Sequence, residues 1–169
     1  MMQDAGYRLQ GATCPYILQP ISQPISQGVP MSWEDDFARW QESVPPSIRN
    51  DPLWRAEYYR LALFLYELVW DDIEHIRRDL RGKEIARQLI RSAGSVTANL
   101  EEAFGRGIDS ADGQRVLRIA LGECRETRGW YFRLRRLLPQ ATLAARLDIL
   151  TRLIAMLTAV HTTYRRKHR

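Results

Sequence analysis

The stretch RSAGSVTANLEEAFGRG, residues 91–107, lies within a helical pattern and yet is crowded with poor helix formers. Gly94, Thr97 and Asn99 lower the helix propensity at positions where a solvated helix would carry Ala, Glu or Lys. Gly94 and Ala98 are four residues apart, so they share one helical face. We interpret this face as a place where two helix backbones approach each other closely.

Apolar residues recur at steps of three and four on both sides of this stretch, which predicts four long helices joined by short loops. The expected helices cover 51–82, 84–104, 111–138 and 140–164. Asp51 is the expected N-cap of the first helix, and Pro52 suits its first position. The pattern is typical of an all-α fold, an antiparallel up-down four-helix bundle over residues 51–165.

The third helix divides most clearly into two faces when it is laid out at 100° per residue. The face predicted to line the core carries Val116, Leu117, Ala120, Cys124, Thr127, Tyr131, Leu134 and Leu138. The opposite face carries Arg115, Arg118, Gly122, Arg125, Gly129, Arg133 and Arg136. We call this second set the basic track, which would be about 30 Å long at 1.5 Å per residue.

The basic track predicts a partner rich in phosphate. The planar fork of arginine suits phosphate oxygens without reading bases, so RNA or DNA would bind with little sequence preference and strong salt dependence. Basic residues at the C-terminus, within a predicted tail at 166–169 and just before it, would add a second contact: Arg165, Arg166 and Lys167. The alternative is that the track pairs with acidic residues of a neighbouring subunit, with Arg125 the first to be occupied.

Composition and charge agree with either reading. The chain has 169 residues, of which 45% are hydrophobic and 27% charged, values typical of a soluble globular domain. Residues 1–52 hold three basic and six acidic residues, a net charge of −3, whereas residues 53–169 hold 22 and 14, a net charge of +8. Nucleic acid or another polyanion is therefore a candidate partner, and a merely solvated basic surface is the alternative.

The first fifty residues are predicted to be separate from the bundle. The segment PYILQPISQPISQGVP, residues 15–30, contains four prolines, which exclude a regular helix. We expect residues 1–30 to be an extended tail, so a chain that starts at Met31 should melt at the same temperature as the full chain. Residues 31–50 are expected to form an acidic helical segment with Ser32 as N-cap, followed by a linker.

The sequence does not predict catalysis, a cofactor or a metal site. Di-metal carboxylate bundles need Glu-x-x-His pairs on two helices, and the nearest match is Asp72 with His75, with no second pair. The segment GRGIDSADGQR lacks the lysine of a phosphate-binding loop and is predicted to be a turn with Ser110 as N-cap. Cys124 lies on the apolar face of the third helix, so we interpret it as a buried hydrophobe.

The apolar runs are also far shorter than the roughly 20 residues that cross a bilayer, and no secretion signal is apparent. A cytoplasmic protein with no membrane contact is therefore expected. Cys14 and Cys124 are far apart in the chain, which fits reduced thiols better than a disulfide framework.

Two strings, QLIRSAGSVTANLEEAFGRG at 88–107 and RIALGECRET at 118–127, resemble a known four-helix-bundle family. That family was first noted as proteins encoded in intervening sequences of large ribosomal RNA, and it is related to the accessory variability proteins of diversity-generating retroelements. The family string S-I-x-A-N-I-A-E-G falls on 95–103, with Ala103 in place of the last glycine. The string A-L-G-S-L-R-E falls on 120–126, with Glu123 and Cys124 as departures. The resemblance covers about residues 54–160.

The resemblance implies a ring-shaped homo-oligomer, a pentamer of bundles. For the retroelement branch it also implies a basic surface that binds nucleic acid and a reverse transcriptase. By family position it implies a structural polar clasp between the second and third helices, formed by Asn99, Glu102, Arg125 and Glu126. Such a clasp is expected because an unpaired buried polar group costs about 1–3 kcal/mol.

Apolar residues in excess of one bundle core predict an oligomer interface. They are Tyr59, Leu63, Tyr66, Trp70, Ile73, Ile119, Trp130 and Leu137. Two functions follow from the sequence. The first is a non-enzymatic nucleic-acid-binding accessory module that serves a reverse transcriptase, and the second is a structural or protein-interaction scaffold with no nucleic-acid ligand.

Overall fold

A computed structural model describes residues 32–168, which form six α-helices and one 3₁₀ turn, with no strand in that range. The elements are α1 (Trp33–Ser43), α2 (Pro46–Arg49), the 3₁₀ turn (Pro52–Arg55), α3 (Glu57–Ile76), α4 (Leu80–Gly105), α5 (Ala111–Arg133) and α6 (Gln140–Lys167). The predictions for residues 1–30, for a start at Met31 and for Cys14 lie outside the described residues.

The core lies among the four long helices. α4 packs against α3 and α5, and α6 packs against α5 and α3. The eight residues of the third predicted helix that were expected to line the core are all buried. They are Val116, Leu117, Ala120, Cys124, Thr127, Tyr131, Leu134 and Leu138. The all-helical fold class is therefore confirmed, and within residues 32–168 no helix is long and apolar enough to cross a membrane.

The first predicted helix, 51–82, was wrong at both ends. The chain first makes the 3₁₀ turn, which Asp51 caps, and α3 ends at Ile76. Asp79 then takes an extended conformation, and its carboxylate accepts hydrogen bonds from two backbone N–H groups of the first turn of α4. This N-cap starts a new helix where the apolar pattern had suggested continuity, because Ile76 still packs into the core.

Two further boundaries differ from the prediction. α5 ends at Arg133 rather than near Leu138, although Leu138 remains buried as the chain turns. Arg136 therefore lies beyond the helix. α6 continues through Lys167, so Arg166 and Lys167 belong to its last turn and not to a separate tail.

α1 packs onto the bundle, in contrast to the separate segment that was predicted. Ser32 caps α1, as predicted, in a reciprocal capping box with Asp35. Phe37 and Trp40 are buried, and the centroid of each ring lies 5.4 Å from that of Phe64 on α3. The acidic helix thus extends the aromatic part of the core.

The small residue Gly94 in the 91–107 stretch makes room for the ring of Tyr66. A Cβ added to Gly94 would lie 3.3 Å from a ring carbon of Tyr66, which comes from α3. Ala98, its predicted partner for close backbone approach, is exposed. The hydroxyls of Ser92 and Thr127 are buried and 2.9 Å apart, so they join α4 to α5. Within residues 32–168, Gly94 therefore meets a tyrosine ring rather than a second helix backbone.

The turn between α4 and α5 depends on glycine. Ser110 caps α5 as predicted, because its hydroxyl accepts a hydrogen bond from the backbone N–H of Gly113. Gly107 has a φ of +82°, a conformation that side chains rarely adopt. A Cβ on Gly113 would lie 2.1 Å from the carbonyl oxygen of Gly107, so the turn and the helix start leave no room for a side chain.

Candidate nucleic-acid interface

The arginines of the basic track are exposed on the side of α5 opposite the core. Exposed members on the helix are Arg115, Arg118, Arg125 and Arg133, and Arg136 is exposed just beyond its end. Gly122 lies in the middle of this face, and a Cβ there would meet nothing within 4 Å. The described chain thus presents one basic surface with an open position at its centre.

Three of the five track arginines have no partner among the described residues. Arg118, Arg125 and Arg136 make no ion pair or side-chain hydrogen bond in residues 32–168. Arg115 is 3.1 Å from a carboxylate oxygen of Asp112, and the Arg133 guanidinium stands 4.6 Å from the centre of the Trp130 ring. Most of the positive charge on this face is therefore not neutralised by any carboxylate in residues 32–168.

The N-terminal end of the track includes a charge network. Arg106, the residue just after α4, joins Glu102 of α4 to Asp112 of α5, at 2.7 and 2.6 Å. Hydrogen bonds from Arg106 and then from Arg115 lower the pKa of Asp112. Asp112 therefore stays ionised and partly offsets the charge of Arg115, which leaves Arg118 as the first fully available cation of the track.

The other two carboxylates of α5, Glu123 and Glu126, do not neutralise the track. Glu126 pairs with Arg91 of α4 and accepts a hydrogen bond from the Trp130 indole at 3.1 Å. Burial and then the neighbouring Glu126 charge raise the pKa of Glu123. Neither carboxylate bonds to a track arginine.

The C-terminal basic residues meet the track at one end only. Arg165 joins Arg115 and Arg118 in lining an open groove of about 530 Å³ between the start of α5 and the end of α6. Arg166 and Lys167 are exposed on the same turn of α6 but do not line that groove. Arg133 and Arg136 lie at the far end of the track.

The polar clasp implied by the family resemblance does not form within the chain. The Asn99 side-chain amide donates to the carbonyl oxygen of Ser95, 2.7 Å away on its own helix. Glu102 pairs with Arg106, Glu126 pairs with Arg91, and Arg125 is exposed. Bonds to nearby groups satisfy most of these side chains, as is common for polar residues in helices.

The predicted oligomer interface contains one core residue. Tyr59 is buried and its hydroxyl donates to Glu101 at 2.8 Å, so it belongs to the bundle. Trp70 and Ile119 are exposed, at 54% and 43% of their surface. The remaining members are half-buried: Leu63, Tyr66, Ile73, Trp130 and Leu137. Phe132, 56% exposed, is a large apolar side chain that the sequence analysis did not assign to this surface.

A buried ion pair lies inside the bundle, where the sequence analysis assigned no site. Arg146 of α6 donates to both carboxylate oxygens of Asp72, at 2.9 and 3.2 Å, and the Tyr131 hydroxyl donates to Asp72 at 2.7 Å. Burial is the largest influence on the pKa of Arg146 and acts to lower it, but the hydrogen bonds and the charge of Asp72, together with Tyr131, outweigh burial and raise that pKa. The signal in the sequence was an aspartate within an apolar stripe.

Asp72, His75 and Cys124, the side chains that the sequence raised as candidates for a metal site or a nucleophile, lie in three different surroundings. Asp72 is buried in that ion pair, whereas His75 is exposed and its Nδ1 lies 2.9 Å from the carbonyl oxygen of Asp71. Cys124 is fully buried, and burial raises the pKa of its thiol to about 12. The interpretation of Cys124 as a buried hydrophobe is confirmed.

Comparison with known proteins gives a family and a fold. The 23S rRNA-intervening sequence protein family matches residues 56–159. The chain is also similar to a crystal structure of a protein of unknown function from the S23 ribosomal protein family of Bacteroides thetaiotaomicron. The TM-score is 0.56 at 22% identity, over 61% of this chain and 96% of the other. No curated protein matches.

Proposed function

Since this chain belongs to the 23S rRNA-intervening sequence protein family, we propose that it is a non-enzymatic accessory module that binds RNA or DNA through the basic track of α5. The observation that carries the proposal is the exposure of Arg118, Arg125 and Arg136 without a carboxylate partner in residues 32–168. Exposed arginines on one face attract phosphates by charge and hold them through paired N–H donors.

Gly122 gives a second line of support. Glycine within an exposed helix destabilises it by about 0.5–1 kcal/mol relative to alanine, and nothing in residues 32–168 requires glycine at this position. A ligand or a neighbouring chain that lies close to the helix backbone would require it. Gly122 stands between Arg118 and Arg125, where a phosphate backbone following the track would pass.

The test is binding of labelled RNA and DNA over a salt series with the double variant Arg118→Gln/Arg136→Gln. If each arginine contacts one phosphate, the slope of log K against log salt should fall by about 1.4–1.8. The matched control is Arg39→Gln/Arg49→Gln, which removes the same charge from α1 and α2, away from the track. Melting temperatures should be the same in all three proteins.

The control variant should bind like the parent. Equal binding by the track variant and the parent would refute the track, and no binding by the parent would refute the nucleic-acid function. A high 260/280 nm absorbance ratio in the purified protein, removed by high salt, would add independent support for a bound nucleic acid.

We further propose that α3, α4, α5 and α6 form an antiparallel up-down bundle that assembles into a ring-shaped homo-oligomer, a pentamer. The exposed apolar side chains of Trp70, Ile119 and Phe132 support contacts between chains. Light scattering of the full chain tests the assembly. A mass near the 19.7 kDa of one chain would contradict it.

The same exposed side chains support a second candidate function, a protein-interaction scaffold without a nucleic-acid ligand. In that case an oligomer would form, and nucleic acid would not bind.

Within the accessory function we propose a reverse transcriptase as the partner enzyme. A reverse transcriptase gene with a repeated template region beside this gene, and co-elution of the two proteins, would support it, whereas separate elution at low salt would contradict it.

A further inference from the structure

The open groove between α5 and α6 gathers positive charge at one end of the basic track. Its lining residues are Ala111, Gln114, Arg115, Arg118, His161, Tyr164 and Arg165. Three of these are arginines, and none of the described lining residues carries a carboxylate. A volume of about 530 Å³ lies within the range of small-molecule sites. The groove is thus large enough for one nucleotide, and its positive charge favours an anion.

One residue that lines the groove, Gln114, has a buried side-chain amide. Gln114 is only 3% exposed, and its Nε2 donates to the carbonyl oxygen of Ile108 at 2.7 Å. That bond fixes which way the amide faces, so its Oε1 is the atom that lies 2.8 Å from Nδ1 of His161. Because an amide oxygen only accepts, Nδ1 of His161 must carry the proton. The tautomer of His161 is therefore set by a residue that cannot turn.

With Nδ1 committed to Gln114, the other ring nitrogen of His161 has no hydrogen-bond partner in residues 32–168. With Nδ1 carrying the proton, this Nε2 is an acceptor, so it can accept a hydrogen bond from the P–OH group of a singly protonated terminal phosphate, a group that an internal phosphodiester lacks. Arg118 and Arg165 also have no partner in that part of the chain, and Arg115 has one, Asp112. The groove therefore presents more positive charge than a single internal phosphodiester would neutralise.

A terminal phosphate carries about −1.5 to −2 charges at neutral pH, and three oxygens that accept hydrogen bonds. Tyr164 also lines the groove and packs against His168, with ring centroids 4.3 Å apart, so an aromatic pair borders the space that a terminal nucleotide would enter. We infer that this groove holds the phosphate at the end of a nucleic-acid strand, with Arg118, Arg165 and His161 as its ligands. The inference rests on the proposed function, in which the same strand continues along α5.

The experiment compares three versions of one labelled 20-nucleotide RNA, with a 5′ phosphate, with a 3′ phosphate and with hydroxyls at both ends. The parent protein should bind one of the phosphorylated strands at least threefold more tightly than the strand without a terminal phosphate. Arg165→Gln should abolish that preference and retain binding of the unphosphorylated strand. Arg166→Gln is the matched control, because it removes the same charge from the same turn outside the groove, and it should keep the preference.

His161→Gln is the second variant and should also abolish the preference. Melting temperatures show that both variants are folded. A mononucleotide, AMP, is added as a competitor to separate a strand end from a free nucleotide. Competition that disappears in Arg165→Gln supports a phosphate site in the groove.

The outcomes separate the two proposals. Equal binding of all three strands refutes the groove as an end-phosphate site and leaves the basic track intact. No binding of any strand refutes the nucleic-acid function. In that case, AMP binding that Arg165→Gln abolishes would keep the groove as a nucleotide site, and absence of AMP binding would refute both.

Discussion

On the inner face of α5, Tyr131 and Thr127 are hydrogen-bonded to side chains of other helices, whereas on the outer face Arg118 and Arg125 have no partner in residues 32–168. The inner face is complete within one chain, because its polar groups are buried and satisfied there. The outer face carries positive charge and, at Gly122, a position where an added Cβ would meet nothing within 4 Å in residues 32–168. Changes to the inner face should therefore alter stability, and changes to the outer face should alter binding.

The largest effect is expected from Arg146→Leu. This change would leave the buried Asp72 carboxylate with the Tyr131 hydroxyl as its remaining side-chain partner, and losing one member of a buried ion pair costs about 3–5 kcal/mol. Urea unfolding would measure the loss. The double variant Asp72→Asn/Arg146→Leu should recover part of it, because no unpaired charge is left. A cost below about 1 kcal/mol for the single variant would mean that the inner face does not depend on this pair.

Gly113→Ala should have the next largest effect. The added Cβ would lie 2.1 Å from the carbonyl oxygen of Gly107, and backbone cannot give way as a flexible side chain can. Overpacking of this kind costs about 1–3 kcal/mol. Gly105→Ala is the matched control near the end of α4, since its Cβ would meet nothing within 4 Å. Equal melting temperatures for the two variants would contradict the tight turn.

The inner face could be predicted well from the sequence, because burial follows helical periodicity and the apolar residues of α5 stay on one side of the helix along its whole length. The end of α3 could not, because periodicity continued across the break and the decisive event was local, the capping of α4 by Asp79. The partner of Asp72 was also out of reach, since Arg146 lies 74 residues away in the chain. The groove at His161 needs two helix ends to meet, which no pattern within one helix specifies.

A smaller, pH-dependent effect is expected at Cys124. Burial raises the pKa of its thiol from 9.0 to about 12 in the folded protein. The thiol ionises first in the unfolded chain, which favours unfolding above about pH 9. The contribution of the buried thiol to stability should therefore be present below pH 9 and be lost as the pH rises from about 9 to 12. The free energy of unfolding should fall by up to about 1.4 kcal/mol per pH unit in this range. Urea unfolding between about pH 8 and pH 10.5 should show a shallower loss for Cys124→Ala than for the parent. The same slope in both proteins would contradict the effect of burial.

The smallest effect on stability is expected from Gly122→Ala on the outer face, and it has the opposite sign. A methyl group there meets nothing in the described part of the chain, residues 32–168, so the variant should be more stable than the parent by about 0.5–1 kcal/mol. If a phosphate backbone lies against this position, the same methyl group should weaken binding of RNA or DNA while the oligomer stays intact. If a neighbouring chain lies there instead, light scattering should show a smaller assembly and any nucleic-acid binding should follow the assembly. A variant that is more stable and unchanged in both binding and assembly would show that neither occupant approaches Gly122, and the outer face of α5 would then have to act through Arg118 and Arg125 alone.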